Sequence, residues 1–121
     1  LLAAQRYLIF PRPRQAADPR RYGGTLVRLP GAQGKEAEEA VALYFAARKG
    51  SATLAYFHGN ADQLGGGSAS LARTFVEKFE MGFFGVEYPG YGVAQGTPTE
   101  ESIMSTSDRL LQHLTAFDGL G

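Results

Sequence analysis

The sequence predicts an α/β fold built on one sheet, and three observations carry that expectation. The run TLAYFH (residues 53–58) is apolar on both faces apart from Thr53 and His58, which suits a strand buried in a parallel sheet. The helix-like stretch SASLARTFVEKFE separates it from a second apolar run, FFGVEY (83–88). That connection is long enough to cross over the sheet and lay the two strands parallel. A second helix pattern follows, and the residues end at FDGLG, where another strand would be due.

Taken in order, residues 1–10 are apolar and suit a short helix or strand, and PRPRQAADPRRYGG reads as a connector punctuated by proline and paired glycine. Residues 1–24 are therefore assigned to an N-terminal arm and 25–121 to the domain. TLVRLP (25–30) alternates weakly and suggests a short strand. AVALYFAA (40–47) puts Val41, Leu43 and Phe45 on one face and Tyr44 on the other, which favours a strand despite the helix-forming KEAEE before it. These first two strands are expected to pair as a hairpin-like unit.

The first helix offers Leu71, Phe75 and Phe79 at helical spacing, with Ala72 and Val76 beside them; Ser68 or Ser70 can cap it and Gly82 can stop it. The second begins at TPTE, where Thr97 can cap, Pro98 needs no donor and Glu100 can reach back. Its apolar stripe reads Ile103, Ser107, Leu110, Leu111 and Leu114, extending to Phe117.

Composition excludes several function classes. Hydrophobic residues make up 44% and charged residues 20% of 121, an ordinary globular balance. Twelve Lys and Arg meet twelve Asp and Glu, so nothing recommends a nucleic-acid binder, which must neutralise phosphates. Arg12, Arg14, Arg20 and Arg21 form the one local excess, read as a solvated arm. With no cysteine and two histidines, neither a disulfide framework nor a histidine-rich metal site is expected. The chain opens LLAAQRYLIFPRPR without methionine and reads as cut or processed. Arginines after a preceding apolar segment would suit the headgroup side of a membrane anchor; a cytoplasmic protein is the alternative.

Two loops fall at the C-terminal ends of the parallel strands, where such folds place their chemistry. In the first, Gly59 permits a tight turn after His58, and the amides of Asn60 and, as an alternative, Ala61 can stabilise an oxygen that gains negative charge during acyl transfer. The same residues also read as a plain turn with His58 satisfied locally. In the second, PGYGVAQG, Tyr88 and Tyr91 either border a ligand cleft or fill space while the glycines allow close packing.

Together, YFHGNADQL and VEYPGYGVAQGTPTEESI resemble the paired signatures of the N-terminal half of α/β-hydrolase domains, in the group of Bem46-like serine hydrolases. The resemblance runs over about residues 7–118, and even QRYLIFPRP looks like the segment that follows the family's membrane anchor. It implies the N-terminal part of a mostly parallel sheet with helices on both faces, acting on ester, thioester or related acyl bonds without a cofactor or metal. His58 and Gly59 match the strand-end pair and Asn60 the oxyanion donor. Tyr88, Gly90, Tyr91, Gly92 and Gly96 match the second signature, with Thr97 to Glu100 opening its helix. Glu87 stands where aspartate is common, and Ala94 where serine is common.

The family's plan places its serine on an elbow after the next strand, followed by an acid and a histidine. The residues stop before that strand, so 25–121 reads as an incomplete domain without a triad, inactive alone. GGSAS is one residue short of G-x-S-x-G, and its serines suit helix capping better than nucleophilic attack. The glycines of QLGGGSAS lack the setting of a phosphate-binding loop. Implied partners are a small acylated substrate or a lipid-modified protein. The TLAYFH strand, short of one neighbour, is expected to leave an edge prone to self-association. A non-enzymatic α/β scaffold or pseudoenzyme is the alternative function.

Overall fold

The computed structural model describes residues 8–11, 13, 15–31, 39–59 and 61–116. Four strands, β1 (Thr25–Leu29), β2 (Ala40–Phe45), β3 (Thr53–Phe57) and β4 (Gly82–Glu87), form one sheet in the order β1-β2-β4-β3. Helix α1 (Ala69–Phe79) links β3 to β4, and α2 (Glu100–Thr115) follows β4. The result is the mixed α/β fold expected.

Connection length explains the strand directions. The β1–β2 pair is antiparallel, with Thr25 opposite Tyr44 and Leu29 opposite Ala40. The short RKGS turn then reverses the chain, so β4, running parallel to β3, is antiparallel to β2. Only the α1 crossover is long enough to restore direction, and it produces the parallel β3–β4 ladder. The parallel character implied by the resemblance resides in that crossover. Because β4 enters between β2 and β3, all six of its residues are buried. Among the described residues β3 pairs on one side only.

Period-two alternation divides the core between the sheet's two faces. Leu43 and Phe83 pack with Ala72 and Leu64 beneath α1, joined by Phe45, Tyr56 and Val76. Ala40, Ala42, Phe84 and Val86 pack with Leu110 and Leu114 of α2 on the other face. Helices thus cover both faces.

The helix faces and ends differ from the sequence reading. On α1, Ala69 and Ala72 are buried, Leu71 and Phe75 only half so, and Phe79 is 58% exposed. Small side chains let α1 approach the sheet, while the Phe75 and Phe79 rings pack on each other at 5.6 Å, tilted by 46°. The left-handed residue ending α1 is Glu80, at φ 54°, and Gly82 is already the first residue of β4. Ser68 does not cap; its hydroxyl donates to Asp62 Oδ2 at 3.0 Å.

On α2 the buried stripe is Ser102, Thr106, Leu110 and Leu114, with Ile103, Ser107 and Leu111 alongside and half-buried. Reading by hydrophobicity passes over Ser102 and Thr106, yet their burial is inexpensive because both hydroxyls are bonded. Thr106 Oγ1 donates to the Ser102 carbonyl at 2.8 Å, and Ser102 Oγ donates to the Thr97 carbonyl at 2.8 Å. The N-cap is Thr99 rather than Thr97: its Oγ1 accepts the Ser102 amide at 2.9 Å, while Ser102 Oγ, rather than Glu100, accepts the Thr99 amide at 3.0 Å. Phe117 lies outside the described residues.

Candidate functional site

Since β3 and β4 run parallel, the loops beginning at His58 and Tyr88 emerge at the same end of the sheet, beyond the C-termini of the two strands. The residues at their roots are bonded to one another. His58 Nε2 lies 2.6 Å from Glu87 Oε1, and both side chains are fully buried. His58 Nδ1 lies 2.9 Å from the Gly59 carbonyl. Carboxylate and carbonyl are both acceptors, so the imidazolium, with two donors, is the form that satisfies both contacts. Burial by itself depresses the His58 pKa, but the Glu87 hydrogen bond, the Gly59 carbonyl and the charges of Glu87 and Asp62 leave it raised.

The other Glu87 oxygen, Oε2, accepts the Leu64 amide at 3.0 Å. Two glycines clear the space: a Cβ on Gly85 would lie 2.9 Å from Leu64 Cδ2, and one on Gly92 would lie 2.3 Å from Glu87 Oε2. From the second loop, the Tyr88 hydroxyl donates to the His58 carbonyl at 2.6 Å. The Tyr88 ring lies 4.3 Å from the His58 ring and 5.4 Å edge-on from Tyr91. Burial raises the Tyr88 pKa, reinforced by the neighbouring Tyr91, Glu87 and Tyr56. The Tyr91 amide returns to the Tyr88 carbonyl at 2.9 Å across Pro89 and Gly90, whose φ of 78° suits the third position of a type II turn.

The first loop is also fastened from the N-terminal arm. The Ala61 amide donates to the Pro11 carbonyl at 2.8 Å, with Ala61 in the left-handed region at φ 64°. Gln63 Oε1 accepts the Ala17 amide at 2.8 Å, and Gln63 Nε2 donates to the Gln15 carbonyl at 2.9 Å. Arg21 reaches the Gly65 carbonyl at 3.3 Å, and Pro19 is fully buried. Asp62 closes the loop internally, its Oδ1 accepting the Gln63 amide at 2.8 Å. A wide turn, Leu64–Ser68, then leads into α1.

The structure thus joins His58, Gly59, Tyr88, Gly90, Tyr91 and Gly92 around one buried pair. Asn60 lies outside the described residues, and the Ala61 amide is already engaged by Pro11. With both nitrogens occupied and its side chain buried, His58 is not placed to accept a proton from a substrate. Ser68 is buried and bonded to Asp62, which leaves its hydroxyl no path to an acyl carbon. Sequence reasoning missed Glu87 as the partner of His58. The available signal was a lone carboxylate ending an otherwise apolar strand. It also missed the arm, whose Pro11, Gln15 and Ala17 bind through backbone groups that carry no side-chain signature.

Among the described residues, no three His, Cys, Asp or Glu side chains are grouped to hold a metal ion. No helix of the described residues is long and apolar enough to cross a membrane.

No protein-family model matches the chain, and no solved structure matches it. The chain is similar to Protein bem46 of Schizosaccharomyces pombe, with 37% identity over 62 residues, 51% of this chain and 20% of that protein. The match thus spans about a fifth of the relative's length. Together with the mixed α/β fold, this partial similarity supports a relationship to the Bem46-like α/β-hydrolases at that coarse level.

Proposed function

We propose that this chain contributes the oxyanion-loop half of a serine hydrolase that cleaves ester, thioester or related acyl bonds. The observation carrying this reading is the fastening of the loop after β3 to the end of β4 through His58 and Glu87, at the C-terminal end where parallel strands present their functional loops. The similarity to Protein bem46 agrees with it. In this reading the Asn60 amide, with the amide after the nucleophilic serine, holds the oxygen that becomes negative as the acyl carbon is attacked. Ala61 does not share this role, because its one amide proton is donated to the Pro11 carbonyl. The nucleophile, acid and base are supplied by further sequence, and the substrate is a small acylated molecule or a lipid-modified protein.

The test is to label the full-length gene product with a fluorophosphonate probe and to measure hydrolysis of p-nitrophenyl esters. Labelling at one serine, with turnover, is expected. The 121 residues alone should neither label nor turn over. A folded full-length protein that takes no probe and hydrolyses no ester or thioester would remove this reading.

A further inference from the structure

We propose that Glu87 is the positioning residue of the oxyanion loop, its two carboxylate oxygens fastening the loop at both ends. This rests on the serine-hydrolase reading above. Oε1 holds His58, the residue through which β3 leaves the sheet, and Oε2 holds the amide of Leu64, where the turn into α1 begins. The loop that leaves β3 at His58 and reaches Leu64 thus has both ends pinned to one side chain on an interior strand.

The anchor is suited to precision. Glu87 is the last residue of a fully buried strand, paired with Val41 of β2, and its side chain is fully enclosed. A carboxylate accepting from an imidazolium and an amide makes two charge-assisted bonds, of which the His58 contact at 2.6 Å is short and the Leu64 contact at 3.0 Å is of ordinary length. Gly92 completes the arrangement: a methyl group there would fall 2.3 Å from Oε2, so the second loop leaves room for the carboxylate that orders the first. The extra methylene of glutamate over aspartate supplies the reach to touch both ends. Shortening it sacrifices one bond, whereas glutamine keeps both in a different protonation state. Its Oε1 can accept from Leu64 while its amide donates to the unprotonated Nε2 of a neutral His58.

The experiment compares full-length wild type with Glu87→Asp and Glu87→Gln by amide hydrogen exchange and by steady-state hydrolysis of p-nitrophenyl acetate. In Glu87→Asp, exchange at Leu64 should rise about tenfold or more, as expected for loss of a hydrogen bond to a charged group. Amides of β4 and α2 should keep their protection. kcat should fall by up to roughly 10²-fold with KM changed less than about twofold, because displacement of a positioned donor acts on the transition state. Glu87→Gln should recover most of both losses.

Unchanged Leu64 exchange in Glu87→Asp would overturn the proposal. So would exchange that rises equally across β4 and α2, or a loss of kcat that Gln fails to recover. If wild type shows no turnover, the hydrolase reading fails separately, and the exchange comparison still decides whether Glu87 fixes the loop.

Discussion

His58 faces an acceptor at each ring nitrogen, an arrangement that makes its charge a matter of stability. Its folded pKa is raised above the ordinary value. The pair's contribution is therefore fully present below the unfolded value of about 6.5 and is lost as pH climbs through the raised folded value. Urea midpoints of the wild type should decline over that interval. The decline should be absent from His58→Gln, and an identical decline in that variant would assign it to other groups. At this scale the sequence was legible where local geometry decides. His58 and Gly59 follow a strand, and Gly90 lies in a turn, as their neighbours require. The His58–Glu87 bond was not legible, because it joins residues 29 apart that only the crossover brings together.

Element by element, period two separates the two faces of a strand, while hydrophobicity at helical spacing finds Ala72, Leu110 and Leu114 but passes over Ala69, Ser102 and Thr106. Each strand alternates between two packed faces, so Val41, Leu43 and Phe45 could be separated from Tyr44 without knowing the topology. The helices were ranked by hydrophobicity, whereas α1 meets the sheet through Ala69 and Ala72, and α2 buries Ser102 and Thr106. Hydroxyls bonded to nearby backbone carbonyls, Thr106 to Ser102 and Ser102 to Thr97, pass as core residues, and no scale of apolarity shows that. The capping box makes the same point in energy. Thr99→Ala removes the acceptor of the Ser102 amide and should destabilise the fold by about 1 kcal/mol, read from urea midpoints. Thr97→Ala should cost less, since Thr97 takes part in the cap through its carbonyl, which alanine keeps.

For the molecule as a whole, β3 is the exposed flank. It carries no charge and no proline, it pairs only with β4 among the described residues, and Phe57 at its end is 43% exposed. Natural sheets guard such edges with charge, proline or cover. The 121-residue chain made alone should therefore sediment as associated species, and Phe57→Lys should shift it towards monomer. A wild-type monomer across the micromolar range would refute this. The arm bears on the molecule in another way. Its bonds to the first loop join residues 44, 46 and 48 apart, and closing such long chain segments carries an entropic penalty before any contact rewards it. During synthesis Pro11 to Arg21 leave the ribosome first, but the groups they bind, from Ala61 to Gly65, emerge some forty residues later. The docking of Ala61 to Gly65 against the arm is therefore a late arrival, completed only after both distant segments have met.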